Sequence, residues 1–151
     1  MTLKKITIMA LLFLIPQLSM AALINEMQTC QGLIEHIDKK LDETGSKYDK
    51  GAVKKVRNGL EGYNQYIQRD IVTPGLLKYS GGDQSKAKAM QEQVDAYKKT
   101  VAKRYDLTYP QNEIFMNHAM AVNECAKQAV PSGQELEDLK EALNLMVEFA
   151  Q

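Results

Sequence analysis

Two cysteines, Cys30 and Cys125, each fall on an apolar stripe that repeats at helical spacing, and this coincidence constrains the fold more than any other feature of the chain. The chain opens with Met1-Thr2-Leu3-Lys4-Lys5, runs apolar from Ile6 to Leu18 and reaches small residues at Ser19-Met20-Ala21. This is the layout of a secretory signal, so residues 1–21 are expected to be a cleaved leader, with a cut after Ala22 nearly as suitable. The apolar run is shorter than the roughly 20 residues a membrane span needs, and no cysteine follows the small residues, which disfavours both an anchor and a lipoprotein. A periplasmic or secreted location is expected. In an oxidising compartment an even pair of cysteines has one intramolecular connectivity. A Cys30–Cys125 disulfide closes a loop of 96 residues. Such a loop is worth about 4 to 5 kcal/mol in the chain-entropy model.

Removing the leader leaves 130 residues with 17 Lys and Arg against 19 Asp and Glu, a net charge of −2. That length fits a single domain, residues 22–151, able to bury its own core without a metal. No segment alternates apolar and polar residues over a strand length, whereas period-3.6 patterns occur five times. The expected fold is therefore all-α: a compact antiparallel bundle of four to five helices with one disulfide.

The first helix is expected over about Leu23 to Asp42, with Met27, Cys30, Ile34, Ile37 and Leu41 on one face. Ser46-x-x-Asp49 reads as a capping box opening a second helix, which Thr73-Pro74-Gly75 breaks after Ile71. Asp83 caps a third, reaching about Arg104, and the second and third read as arms of one antiparallel hairpin. Thr108-x-x-Gln111, with Pro110 in the first turn, opens a fourth helix to about Ala129, and Ser132-x-x-Glu135 opens the last. Up-and-down connection places the first helix beside the fourth, so that the two cysteine stripes face each other.

The charges are unevenly distributed. Residues 47–104 carry 13 Lys and Arg against 6 Asp and Glu, a net +7, while residues 22–46 and 105–151 together carry −9. One reading is that these are solvated faces that also favour the native pairing of helices. The other is that a basic hairpin steers an acidic partner. On the second reading the partner-binding residues are Lys54, Lys55, Arg57, Lys98, Lys99 and Lys103 on the hairpin, Tyr66 beside them, and Leu76, Leu77 and Tyr79 in the long connection between its arms. Tyr63 and Tyr97 lie on the core seam and are set aside.

Candidate chemistry is sparse. His36 and His118 come to nearly the same height in the antiparallel arrangement, within about 1.5 Å at the helical rise. Around the helix axis, however, His118 lies about 20° from Cys125 and His36 about 120° from Cys30, so His118 is expected to be a buried, hydrogen-bonded histidine and His36 to be exposed. Met116 and Met120 form a small apolar strip on the back of the fourth helix, expected to be covered by the last. Gly81-Gly82-Asp83-Gln84-Ser85-Lys86 lacks the phosphate-loop spacing and reads as a turn and cap. There is no nucleophile elbow, no H-E-x-x-H and no C-x-x-C-H, so neither an enzyme nor a bound cofactor or metal is expected.

These features lead to a small exported helical binding protein acting through a protein partner with an acidic surface, in an inhibitor, immunity or envelope accessory role. Two alternatives are a small-ligand, metal or haem carrier using the bundle interior near His118, and a module binding anionic lipid or glycan. Nucleic acid is not expected as a partner.

Overall fold

The computed structural model describes the backbone of residues 15–151 and the side chains from Met20 onward. The expected leader's charged head and most of its apolar core lie outside the described residues. Helix α1 spans Ile15–Glu43, α2 Lys50–Tyr66, α3 Thr73–Tyr79, α4 Gln84–Thr108, α5 Met116–Gln128 and α6 Gly133–Phe149. A π-helical segment, Ile67–Val72, joins α2 to α3 without interruption, giving five helical rods. No strand occurs among the described residues, and none of their helices is long and apolar enough to cross a membrane.

The all-α bundle and its disulfide are as expected. Cys30 on α1 and Cys125 on α5 are bonded, with Cα atoms 5.9 Å apart, and His36 later in α1 meets His118 earlier in α5, so the two helices lie side by side and antiparallel. The core runs through Met27, Ile34 and Ile37 of α1, Leu60 and Tyr63 of α2, Val122 of α5 and Leu139 and Met146 of α6. The buried Tyr63 hydroxyl donates to the Ala129 carbonyl, which satisfies both groups away from water.

Other boundaries moved for identifiable reasons. The second helix does not break at Thr73-Pro74-Gly75. Pro74 has no N–H and its ring would crowd the carbonyl four residues back, but the π segment immediately before it widens the turn, with Thr73 N–H donating to Gln68 O, and the helix continues to Tyr79. Asp49 itself caps α2, accepting from Ala52 N–H at 2.8 Å, in place of the expected Ser46 box. Asp83 caps α4 as expected. Thr108 ends α4 and opens nothing, since Pro110 forces Tyr109 out of the helical region to φ −124°, ψ 74°. The fourth expected helix therefore starts only at Met116. Ser132 precedes α6 but makes no capping bond, and Glu135 turns to Arg69 instead.

The expected antiparallel hairpin of α2 and α4 does not form. α2 packs mainly on α6 and α4 on α1; of the α2–α3 rod, α3 packs on α4 and Gln68 of the π segment donates to Gln91. Periodicity defines apolar stripes without stating which stripe pairs with which; here glycines decide two of the contacts. A Cβ on Gly59 would lie 2.5 Å from the Asp138 carbonyl oxygen, and one on Gly32 would lie 2.7 Å from Val101 Cβ, so α2–α6 and α1–α4 approach more closely than any side chain permits. Charge reinforces the pairing. Arg57 binds Asp38 and Asp42 of α1, Lys55 binds Glu141 of α6, and Arg69 reaches Glu135 of α6. Part of the basic stretch is thus used to join the acidic segments of the same chain, through Lys47, Lys55, Arg57 and Arg69.

Candidate functional site

The turn Ser80–Asp83 ends the long α2–α3 rod and sends α4 back along α1. At this tip Leu76 is buried, holding α3 down, while Leu77 and Tyr79 remain 37% and 62% exposed. Beside them lies a groove of about 400 Å³ between the start of α1, α3 and α4, lined by Ile24, Leu76, Tyr79, Met90, Val94 and Tyr97 among others. Apolar side chains dominate its floor, and polar groups from Asn25, Gln28 and Gln93 line the remainder. Such a surface suits an apolar anchor from a partner. Leu76 is a core residue that shows only as part of the groove's lining, and Tyr97, set aside as seam, is an exposed groove wall.

The remaining expected contact residues do not gather around the tip. Lys54 precedes Leu77 by 23 residues on a continuous rod, about 35 Å at the helical rise, and Lys103 stands near the opposite end of α4. Arg57 and Lys55 are occupied by the ion pairs already described, and Lys98 by Asp95. Lys54, Lys99 and Lys103 are exposed and make no ion pair among the described residues. Tyr66 is half-buried, its hydroxyl donating to the Val130 carbonyl, which makes it a clasp between α2 and the turn before α6. Met116 and Met120 are not covered: α6 lies alongside α5, and both methionines stay exposed on the wall of a groove completed by Leu143 and Val147.

His36 is the largest departure. Its side chain is completely buried, because α1 is covered on one flank by α4 and on another by α5, and position 36 faces the seam between them. The two histidines do share one height, but α1 is covered on more than one face, so lying away from the Cys30 stripe does not expose His36. His36 Nε2 meets His118 Nε2 at 3.3 Å, and His36 Nδ1 meets Asp106 Oδ1 at 2.6 Å. Phe115 N–H donates to His118 Nδ1 at 3.1 Å.

One arrangement of protons satisfies every group. Since Phe115 donates, His118 Nδ1 carries no proton; His118 Nε2–H then donates to His36 Nε2, and His36 Nδ1–H donates to the Asp106 carboxylate. Tyr105, Tyr109 and Phe115 pack around the two rings. Burial holds the His118 imidazole down to about 4, with His36 and Lys40 adding to the effect. Burial also lowers His36 despite its bond to Asp106. Burial opposes ionisation of Asp106, but bonds from Lys39 and His36 outweigh it and hold the carboxyl below its ordinary range. All four ring nitrogens are engaged in this chain. His118 Nδ1, as an acceptor, is in the wrong state to leave Nε2 free for a metal.

A third feature lies between α2 and α4, which have no packing contact with each other and rest separately on α1. The groove they leave is polar, about 180 Å³, and lined by Gln31, Glu35, Arg57, Glu61, Asn64 and Lys98 together with Ile34, Asp38 and Leu60. Gln31 Oε1 and Asn64 Oδ1 are buried there with no hydrogen-bond partner. In the sequence nothing but its place next to Cys30 sets Gln31 apart from other polar residues of α1.

No family model, curated protein or solved structure matches this chain.

Proposed function

We propose that the protein is exported and acts as a helical binding protein, presenting the α3–α4 tip to a protein partner in an inhibitor, immunity or envelope accessory role. The observation that supports this reading most is the tip itself, where Leu77 and Tyr79 stand exposed on a buried Leu76 anchor beside an apolar groove. A rigid helical turn of this kind presents apolar side chains at low cost in conformational entropy, because the backbone is already fixed before the partner arrives. Lys78 and Lys88, exposed on either side of the turn, favour an acidic partner surface. The basic residues at the far ends of α2 and α4 are not needed for this contact.

Capture from an envelope extract tests the reading. The wild-type chain is compared with Leu77→Ser/Tyr79→Ser and with Lys54→Glu/Lys103→Glu. Loss of one defined partner with the tip variant, and its retention with the charge variant, is the expected result. Equal capture of that partner by all three chains rejects the tip.

A further inference from the structure

We propose that the groove beside the tip holds one extended residue of an acidic peptide, with its apolar side chain on the groove floor and its backbone N–H and C=O on the amide of Gln28. This rests on the tip as the contact surface and specifies what that surface takes. On α1, Ala21, Ile24, Asn25 and Gln28 recur at three and four, share one face and all line the groove. Met90, Gln93, Val94 and Tyr97 of α4 recur in the same way on the facing wall. Both walls are held in the free protein. Gly75 admits α3 so close to α1 that a Cβ there would lie 2.7 Å from Ile24 Cδ1. Thr29 Oγ1 donates to the Asn25 carbonyl and accepts from the Tyr97 hydroxyl at 3.4 Å, which ties α4 to α1.

Gln28 points to a ligand. It is only 5% exposed, yet its amide makes no hydrogen bond among the described residues. Nor is it sealed from solvent, as the buried oxygens of Gln31 and Asn64 are. The surface that Gln28 keeps is that of the groove it lines. A polar side chain buried this far without a partner is rare in native proteins. An amide offers a donor and an acceptor side by side. Its complement on a peptide is a single residue in extended conformation, whose N–H and C=O point to the same side, as in a hydrogen-bonded pair of antiparallel strands.

Charge narrows the peptide. No Asp, Glu, Lys or Arg lines the groove, so an ionised side chain inside it loses water and gains no counter-charge. Ile24, Leu76, Met90 and Val94 suit an aliphatic side chain instead. Outside the groove, Lys78 on α3 and Lys88 on α4 are exposed and form no ion pair among the described residues, whereas Lys86 is held by Asp83. Acidic residues on either side of the aliphatic one complement these two charges.

Titration of the full chain with a capped pentapeptide, a leucine between two aspartates on each side, tests the contact, followed by the side-chain amide signals of Gln28. Saturable binding that moves those signals is expected. N-methylation of the leucine nitrogen removes the N–H and is expected to weaken binding about fivefold or more. Gln28→Met is expected to weaken the unmodified peptide by a similar factor and the N-methylated one less. It is not expected to lower the unfolding temperature, because the amide has no partner in the free protein to lose. No saturable binding, or equal affinity of the two peptides for the wild-type chain, overturns the proposal. So does a Gln28→Met chain that loses both peptides equally and unfolds at lower temperature, since that is a structural role. Capture from envelope extract separates this contact from the tip itself: a partner lost with Leu77→Ser/Tyr79→Ser but fully kept by Gln28→Met leaves the tip standing and overturns the Gln28 contact.

Discussion

His36 Nε2 and His118 Nε2 lie 3.3 Å apart at the junction of α1, α4 and α5, and neither can take a second proton without losing a bond. A proton arriving at His36 Nε2 meets the His118 Nε2–H, and one arriving at His118 Nδ1 meets the Phe115 N–H. The pair is a neutral clasp that joins the start of α5 to α1, on the same face of α5 as the Cys30–Cys125 bond about two turns further along.

Acid is therefore expected to weaken the fold. Both imidazoles are held below their unfolded value of 6.5, so their contribution is complete above that pH and is lost as pH falls toward about 4 for His118. Over that window the loss is about 3 kcal/mol, from the displacement of His118. Denaturant unfolding between pH 7.5 and 4.5 measures it, and His118→Gln is expected to flatten the profile. A wild-type stability that stays constant over this range contradicts the clasp.

Sequence periodicity is enough to show five helical segments, though not their ends, because each needs one buried stripe, and it sets the two cysteines on stripes that can face each other. It could not show that α1 is covered on several flanks, so His36, outside the main stripe, read as exposed when it is fully buried. Nor could it show that Pro74 would be absorbed by a π turn, since the compensating geometry comes from the residues before it. The tip side chains were legible as apolar residues in a turn-rich stretch. The groove that gives Tyr79 a setting was not, because Met90 and Tyr97 become its neighbours only when α4 folds back.

Two glycines on one helix separate close packing from helix propensity. A methyl group on Gly59 meets the Asp138 carbonyl oxygen at 2.5 Å and Ala142 Cβ at 2.8 Å, whereas one on Gly62 meets nothing within 4 Å. Gly59→Ala is expected to cost about 1 to 3 kcal/mol through overpacking. Gly62→Ala is expected to stabilise the protein by about 0.5 to 1 kcal/mol. Thermal unfolding of the two variants should move in opposite directions.

The disulfide spans 95 positions in sequence and is expected to act chiefly on the unfolded chain. Cys30→Ser/Cys125→Ser is expected to lower stability by about 4 to 5 kcal/mol. Helical circular dichroism should stay close to that of the wild type at neutral pH, because the α1–α5 contact also holds at His36 and His118. Denaturant unfolding of oxidised, reduced and doubly substituted protein checks both points.

A partner seated on the α3–α4 tip slows amide exchange there, which hydrogen exchange of the protein with and without its captured partner reads residue by residue. Protection confined to residues 76–97, with the early turns of α2 around Lys54 and the end of α4 around Lys103 unchanged, is the expected result. Protection centred on those far ends, with the tip exchanging as in the free protein, contradicts it.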